Sequence, residues 1–244
     1  MAILEATDVV KRFGPVTALS GAGLEVEPAT IHGLIGPNGS GKSTLLHVVA
    51  GRTLPDRGRV LLDGADITKA RPAARAQAGL SIKFQLARVY HEQTVAENLL
   101  LALQVRESIP SLVLSRSRRR HAPRVRALLD DFGLAAVRDR RAGELAHGEQ
   151  QWLEIAMAMA TEPKVLLLDE PTGGMNRHER LRTGELIRQA AATCAAVIVE
   201  HDLDFIRDLC DRITVLHQGT RVASGTPAEI ERDERVAEVY LTRV

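Results

Sequence analysis

The sequence predicts an α/β protein with a parallel sheet at its core and an antiparallel patch beside it, on three observations. Residues 31–35 (Ile-His-Gly-Leu-Ile) are a short, mostly apolar strand candidate. A glycine-rich loop follows over 36–44, and residues 45–50 continue as a buried helix ended by Gly51. Residues 165–168 and 197–199 are apolar runs of strand length, as expected of parallel strands buried on both faces. Residues 2–10, 16–26 and 59–63 read as strands bracketing the loop and separated by glycine and proline turns, with Arg57-Gly58 and Asp63-Gly64 as turn signals.

The remaining elements follow in order. Pro72 opens a short helix over 72–78, and 80–84 is a further strand. From residue 94 the period changes. Thr94-Val95-Ala96-Glu97 is a capping box, starting a helix that runs to about Gln104. Residues 105–143 are the most basic and least patterned part of the chain, with Ser115-Arg116-Ser117-Arg118-Arg119-Arg120-His121 as the extreme. That run reads as a solvated loop or helix face; contact with lipid headgroups or a membrane subunit is the sharper alternative. Residues 149–160 form a helix with Trp152, Ile155, Ala156 and Met159 on one face, so Trp152 reads as packing. Thr226-Pro227-Ala228-Glu229 is a second capping box, with proline at the first helical position.

With 244 residues the chain suits one large domain or a domain with an inserted subdomain. A net charge of +1 exerts no global pull on nucleic acid or anionic lipid. Cys194 and Cys210 lack metal-ligand spacing and read as buried thiols of a reducing compartment. The N-terminus carries no secretory pattern, and every apolar run is far shorter than the roughly 20 residues that cross a bilayer. Membrane contact is therefore expected through partners.

The chemistry begins at Gly36-Pro37-Asn38-Gly39-Ser40-Gly41-Lys42-Ser43-Thr44, which satisfies GxxxxGK[ST] at every position. Glycines let successive backbone N–H groups face phosphate oxygens, and the following helix adds its N-terminal dipole. Lys42 supplies a mobile cation for the outer phosphates and the Ser43 hydroxyl a magnesium ligand. A nucleoside triphosphate is the implied ligand. Asp169 and Glu170 stand at the C-terminal end of the 165–168 run, the edge where parallel sheets gather ligands. Asp169 suits Mg²⁺, and Glu170 suits the polarisation of an attacking water. His201, in Glu200-His201-Asp202 after the next apolar run, can hydrogen-bond a γ-phosphate. Gln85, at the end of the 80–84 strand, suits water and Mg²⁺ positioning. Leu145-Ala146-His147-Gly148-Glu149 precedes a helix, whose N-terminus offers N–H groups to an anion.

Taken in order, these segments resemble the nucleotide-binding subunit of ATP-binding-cassette (ABC) transporters. Residues 36–44 look like its Walker A loop, Gln85 its Q-loop and 145–149 its LSGGQ signature. Residues 165–170 look like Walker B with the catalytic glutamate, 173–176 its D-loop and His201 its switch histidine. Phe13 falls where the family places the aromatic that stacks on adenine. The resemblance implies a P-loop NTPase with a RecA-like parallel-sheet core and antiparallel β-subdomain (1–86 and 161–244), plus an inserted α-helical subdomain (87–160). It also implies two subunits sandwiching two Mg·ATP, so that Ala146, His147, Gly148 and Glu149 serve the partner's nucleotide. Ala146 replaces the consensus serine of the signature and Asn176 the consensus aspartate of the D-loop.

Residues 147–155 and the tail 235–241 are similar to the branch serving uptake of branched-chain amino acids, amides and urea. Trp152, Met175 and 215–219 lean toward its urea-type subunit, whereas Gly173-Gly174 and the serine-containing phosphate loop match that subunit less well. Lipopolysaccharide-export ATPases share much of this pattern. The implied partners are a second ABC ATPase (a paralogue first, a second copy otherwise), two membrane permease subunits and, indirectly, an extracytoplasmic binding protein. The implied place is the cytoplasmic face of a bacterial membrane. A non-transport cassette acting on DNA or ribosomes is the rival reading; such proteins carry a long coiled coil or a second cassette, and no nucleic-acid partner is expected here.

Overall fold

The computed structural model describes residues 1–83, 89–105 and 117–241. Among the described residues, ten strands form two sheets. β1 (Leu4–Phe13), β2 (Val16–Val26), β4 (Arg57–Leu62) and β5 (Ala65–Asp66) make an antiparallel sheet in the order β2-β1-β4-β5. β3 (Ile31–Ile35), β6 (Leu80–Lys83), β7 (Val165–Asp169), β8 (Ala195–Val199), β9 (Arg212–His217) and β10 (Thr220–Gly225) make the second, in the order β10-β9-β3-β8-β7-β6. Its ladders are parallel except for edge strand β10, which returns antiparallel to β9.

Every residue of β3, β7 and β8 is buried, because both faces of this sheet are covered. Side chains alternate between two cores, as a period of two requires. Leu34, Leu167 and Val197 point into a cluster with Leu4, Leu19 and Leu24 of the antiparallel sheet and Leu45 and Leu46 of α1 (Lys42–Val49). Ile35, Leu166, Leu168 and Ile198 point to the opposite face. There they meet α5 (His147–Ala160), α6 (Arg177–Ala191) and α7 (Leu203–Leu209), through Ile155, Leu186 and Ile206 among others.

The capping box at Thr94 forms as its residues require. Thr94 Oγ1 accepts from Glu97 N at 3.2 Å and Glu97 Oε2 from Thr94 N at 3.0 Å, opening α3 (Val95–Gln104). The second box opens α8 (Pro227–Arg232), and α2 (Pro72–Ala78) spans the predicted range. The tail forms a further helix, α9 (Glu234–Leu241).

Two sequence expectations change. Arg57-Gly58 is no turn: β4 begins there, and Gly58, at φ +96°, lies beside an irregularity in the β1–β4 register. A Cβ there would lie 2.6 Å from the carbonyl oxygens of Thr7 and Asp8, so the glycine serves close strand approach. The poorly patterned stretch also holds α4 (Ser117–Asp131), packed on α3. Its arginine-rich start is solvated, but Val125, Leu128 and Leu129 are buried, and Phe132 and Leu134 follow them into the core. The apolar stripe is confined to the C-terminal half, where the charge-dominated composition obscures it.

Candidate functional site

Parallel register brings the predicted chemistry to one edge. Leu34 of β3 and Asp169 of β7 both pair with Val199 of β8. The glycine-rich loop, Glu170 and His201 therefore leave three adjacent strands at the same level, at their carboxyl ends. Gln85 lies outside the described residues.

The loop's conformation depends on two of its glycines. Gly36 has φ +149°, and a Cβ there would lie 2.1 Å from the Leu216 carbonyl oxygen. Gly41 has φ +102°, with the Ala18 carbonyl oxygen 2.8 Å from any added Cβ. Backbone bonds from Gly219 N to Ser40 O (2.9 Å) and Ser20 N to Gly219 O (2.8 Å) seat the loop on neighbouring strands. Gly41 caps α1 without a side-chain hydrogen bond, and no acid stands in the first turn, so the helix presents its N-terminal N–H groups and positive dipole end. Lys42 Nζ arches back to donate to the carbonyls of Gly36 (2.8 Å) and Pro37 (3.0 Å). Asn38, Gly39 and Ser43 are exposed, Thr44 is half-buried, and Ser40 is buried beneath them.

Asp169 ends β7 and is buried, whereas Glu170 is half-buried with φ +46°. A non-glycine residue held in the left-handed region stores backbone strain of the kind found at functional sites. Glu170 N donates to Val199 O at 2.8 Å, which ties the strand exit to β8. His201 is exposed, with Nδ1 3.9 Å from Glu170 Oε1 and 3.6 Å from Glu200 Oε2. An acid able to accept a proton and an imidazole able to donate one thus share a small volume.

Phe13 and residues 146–149 stand on other elements. Phe13 is 51% exposed at the tip of the β1–β2 hairpin, with Lys11 Nζ 5.5 Å from its ring centre. It pairs with Val16, two residues before the Ala18 that abuts Gly41, so the aromatic flanks the loop. Ala146 is the N-cap of α5 and has no oxygen to offer; only the Glu149 half of a capping box forms, with Glu149 Oε2 accepting from Ala146 N at 3.0 Å. His147 Nε2 lies 2.9 Å from the Gly173 carbonyl oxygen and donates to it, because a carbonyl only accepts. Gly148 abuts Glu179: an added Cβ would sit 2.8 Å from Glu179 Oε1.

Residues 19–173 match the family model described as ABC transporter. The chain belongs to the ABC transporter ATP-binding family. It is 35% identical over 248 residues to the high-affinity branched-chain amino acid transport ATP-binding protein LivG of Escherichia coli (strain K12), covering 98% of this chain and 97% of that one. It is 33% identical over 242 residues to the lipopolysaccharide export system ATP-binding protein LptB of Haemophilus influenzae, covering 99% and 98%. An ATP-binding cassette of an ABC transporter, solved in an ADP conformation, superposes with a TM-score of 0.86 at 32% identity over the full length of both chains.

This ABC-type ATPase carries site features that motif reading missed. Glu200 and Thr172 are buried behind the Glu170–His201 pair and bonded to each other. Asn176, at the consensus-aspartate position, caps α6 by accepting from Glu179 N at 3.0 Å while Glu179 Oε2 accepts from Asn176 N at 2.9 Å. The signal for Glu200 was an acid directly following a fully apolar strand; nothing local marked Thr172.

Proposed function

We propose that this ATPase energises import of a small polar solute, an amino acid, amide or urea, through membrane permease subunits. The reading is supported by the shared strand edge, where the phosphate loop, Asp169-Glu170 and His201 emerge side by side, and by the 35% identity to LivG. Residues 147–155 and 235–241 further favour the amide and amino acid branch, with Trp152 and Met175 leaning to its urea-type member. Export is the second reading, favoured by the similarity to LptB.

In this proposal Phe13 stacks on the adenine, while backbone N–H groups of residues 36–44 and the α1 dipole hold the β- and γ-phosphates. Lys42 exchanges its loop carbonyls for phosphate oxygens. Glu170 accepts the proton of the attacking water and His201 donates to the γ-phosphate, so catalysis is positioning plus charge stabilisation. Mg²⁺ typically keeps several waters and takes one or two protein oxygens beside substrate phosphates; the Ser43 hydroxyl and the Asp169 carboxylate fit that demand, and the ion would neutralise phosphate charge.

The proposal divides the chain into a core (1–86 and 161–244) and a helical subdomain (87–160) that docks permease coupling segments. Residues 146–149 complete the ATP site of a second ATPase, a paralogue or another copy. No helix among the described residues is long and apolar enough to cross a membrane. By likeness to transporter ATP-binding subunits such as LivG, the proposed place is peripheral, on the cytoplasmic face of a bacterial membrane, with an extracytoplasmic binding protein supplying solute.

Reconstitution with the co-purified membrane subunits tests both levels. One solute-loaded binding protein should stimulate ATP turnover severalfold, and Glu170→Gln should abolish turnover while retaining ATP binding. Stimulation by a lipopolysaccharide-type lipid instead would replace import with export. Wild-type turnover in Glu170→Gln would require another base.

A further inference from the structure

Glu200 is a buried acid without a role in the mechanism above. It is 1% exposed, and among the described residues no lysine or arginine pairs with it. Burying a carboxylate is costly unless hydrogen bonds satisfy it, and an apolar side chain would fill the same space without that cost. The bonds it makes are specific. Oε1 accepts from Thr172 twice, from the backbone N at 2.9 Å and from Oγ1 at 2.6 Å. Oε2 accepts from His201 N at 3.3 Å and lies 3.6 Å from His201 Nδ1. One carboxylate therefore spans two strand exits: the turn after Glu170 on one side and the switch histidine on the other.

That turn needs holding. Glu170 sits at φ +46°, and Gly173 N closes the turn onto Glu170 O at 3.2 Å. Without Glu200, Thr172 N and Oγ1 would be buried donors lacking an acceptor, and the turn would relax. The 3.9 Å separation of Glu170 Oε1 and His201 Nδ1 would relax with it.

We infer that Glu200 is a positioning residue for ATP hydrolysis, a buried acceptor that locks the Glu170 turn and the His201 backbone into one geometry. It touches neither nucleotide nor attacking water. The inference rests on the proposed roles of Glu170 and His201.

Glu200→Gln tests it in the full chain with its co-purified partner subunits. The amide keeps the size and one acceptor oxygen but turns an N–H toward His201 N. KM for ATP should stay within twofold while kcat falls about tenfold to a hundredfold, the range that misplacement near the reacting centre produces. Glu200→Gln combined with Thr172→Val should lower kcat by clearly less than the product of the two separate effects, since both changes break the same hydrogen-bond set. Thr172→Val, which removes only the hydroxyl donor, should lower kcat about threefold to tenfold at unchanged KM. It decides the matter if Glu200→Gln no longer binds ATP.

Wild-type kcat in both variants, a raised KM at unchanged kcat, or effects of Glu200→Gln and Thr172→Val that multiply fully when combined would overturn the inference. Full turnover in Glu170→Gln or His201→Ala would instead remove the site reading beneath it. Silence in those two variants beside normal Glu200→Gln and Thr172→Val isolates the failure to Glu200.

Discussion

His32, the second residue of β3, has no exposed surface, its Nε2 2.8 Å from Thr214 Oγ1 and its Nδ1 without a partner. Burial first, and the Arg212 charge second, push its pKa down from 6.5 to about 4. The folded state thus keeps the ring neutral while the unfolded chain takes up a proton below pH 6.5. Its contribution to stability is complete above pH 6.5 and is lost as pH falls toward 4. At pH 5 the loss amounts to about 2 kcal/mol. Denaturant midpoints at pH 7 and pH 5 should therefore fall farther apart in the wild type than in His32→Gln, which cannot titrate. Equal displacement in both proteins would assign the acid sensitivity elsewhere. The two cysteines behave as the sequence suggests: Cys194 and Cys210 are buried, and burial chiefly pushes their thiols up to about 11 and about 12, out of reach of thiolate chemistry.

At the level of elements, α1 is secured at its far end by an interaction that no local pattern announces. Arg75 of α2 is 1% exposed and donates to the carbonyls of Val48 (2.7 Å), Val49 (2.6 Å), Thr68 (2.8 Å) and Ala70 (3.0 Å). Its guanidinium caps the C-terminus of the phosphate-loop helix, where a cation is favoured, and bridges it to the loop before α2. Gly51 makes room: a Cβ there would sit 2.6 Å from Arg75 Nε. Arg75→Lys keeps the charge but not the fork, leaving carbonyls unpaired, and should cost about 3 kcal/mol, read as a lowered denaturant midpoint with unchanged slope. A loss under 1 kcal/mol would mean water substitutes for the fork. This contact explains what sequence could and could not reveal. β3, β7, β8 and the capped starts of α3 and α8 are specified by residues within a few positions, so they are legible as patterns. The Arg75 cap joins residues up to 27 apart, and α4 hides its stripe among arginines.

Across the whole molecule, the candidate site was legible because each strand exit carries its own chemical signature and parallel register aligns those exits. The buried support behind them was not, since Glu200 and Thr172 meet only through the fold, 28 positions apart. The same holds for the seam between α5 and α6, where Trp152 Nε1 donates to Thr183 Oγ1 at 2.9 Å, and Thr183 in turn donates to Glu179 O at 2.9 Å. Trp152 is half-buried against the core on α5, in the packing role its helical spacing suggests. Thr183 stands on α6, the helix that Asn176 caps. His147 adds a second tie across the same seam, to Gly173. Any rearrangement that swings α5 relative to α6 must alter the surroundings of this indole. Because Trp152 is the chain's single tryptophan, its fluorescence reads that seam alone. In Glu170→Gln, which should hold the ATP-bound state, saturating Mg·ATP should shift or quench the emission. Lys42→Ala should show no change at the same nucleotide concentration, and Thr183→Val should alter the starting spectrum by freeing the indole N–H. Emission that ignores nucleotide in Glu170→Gln, despite measured binding, would mean that α5 and α6 move as one body and that ATP-driven motion, if it occurs, is hinged elsewhere.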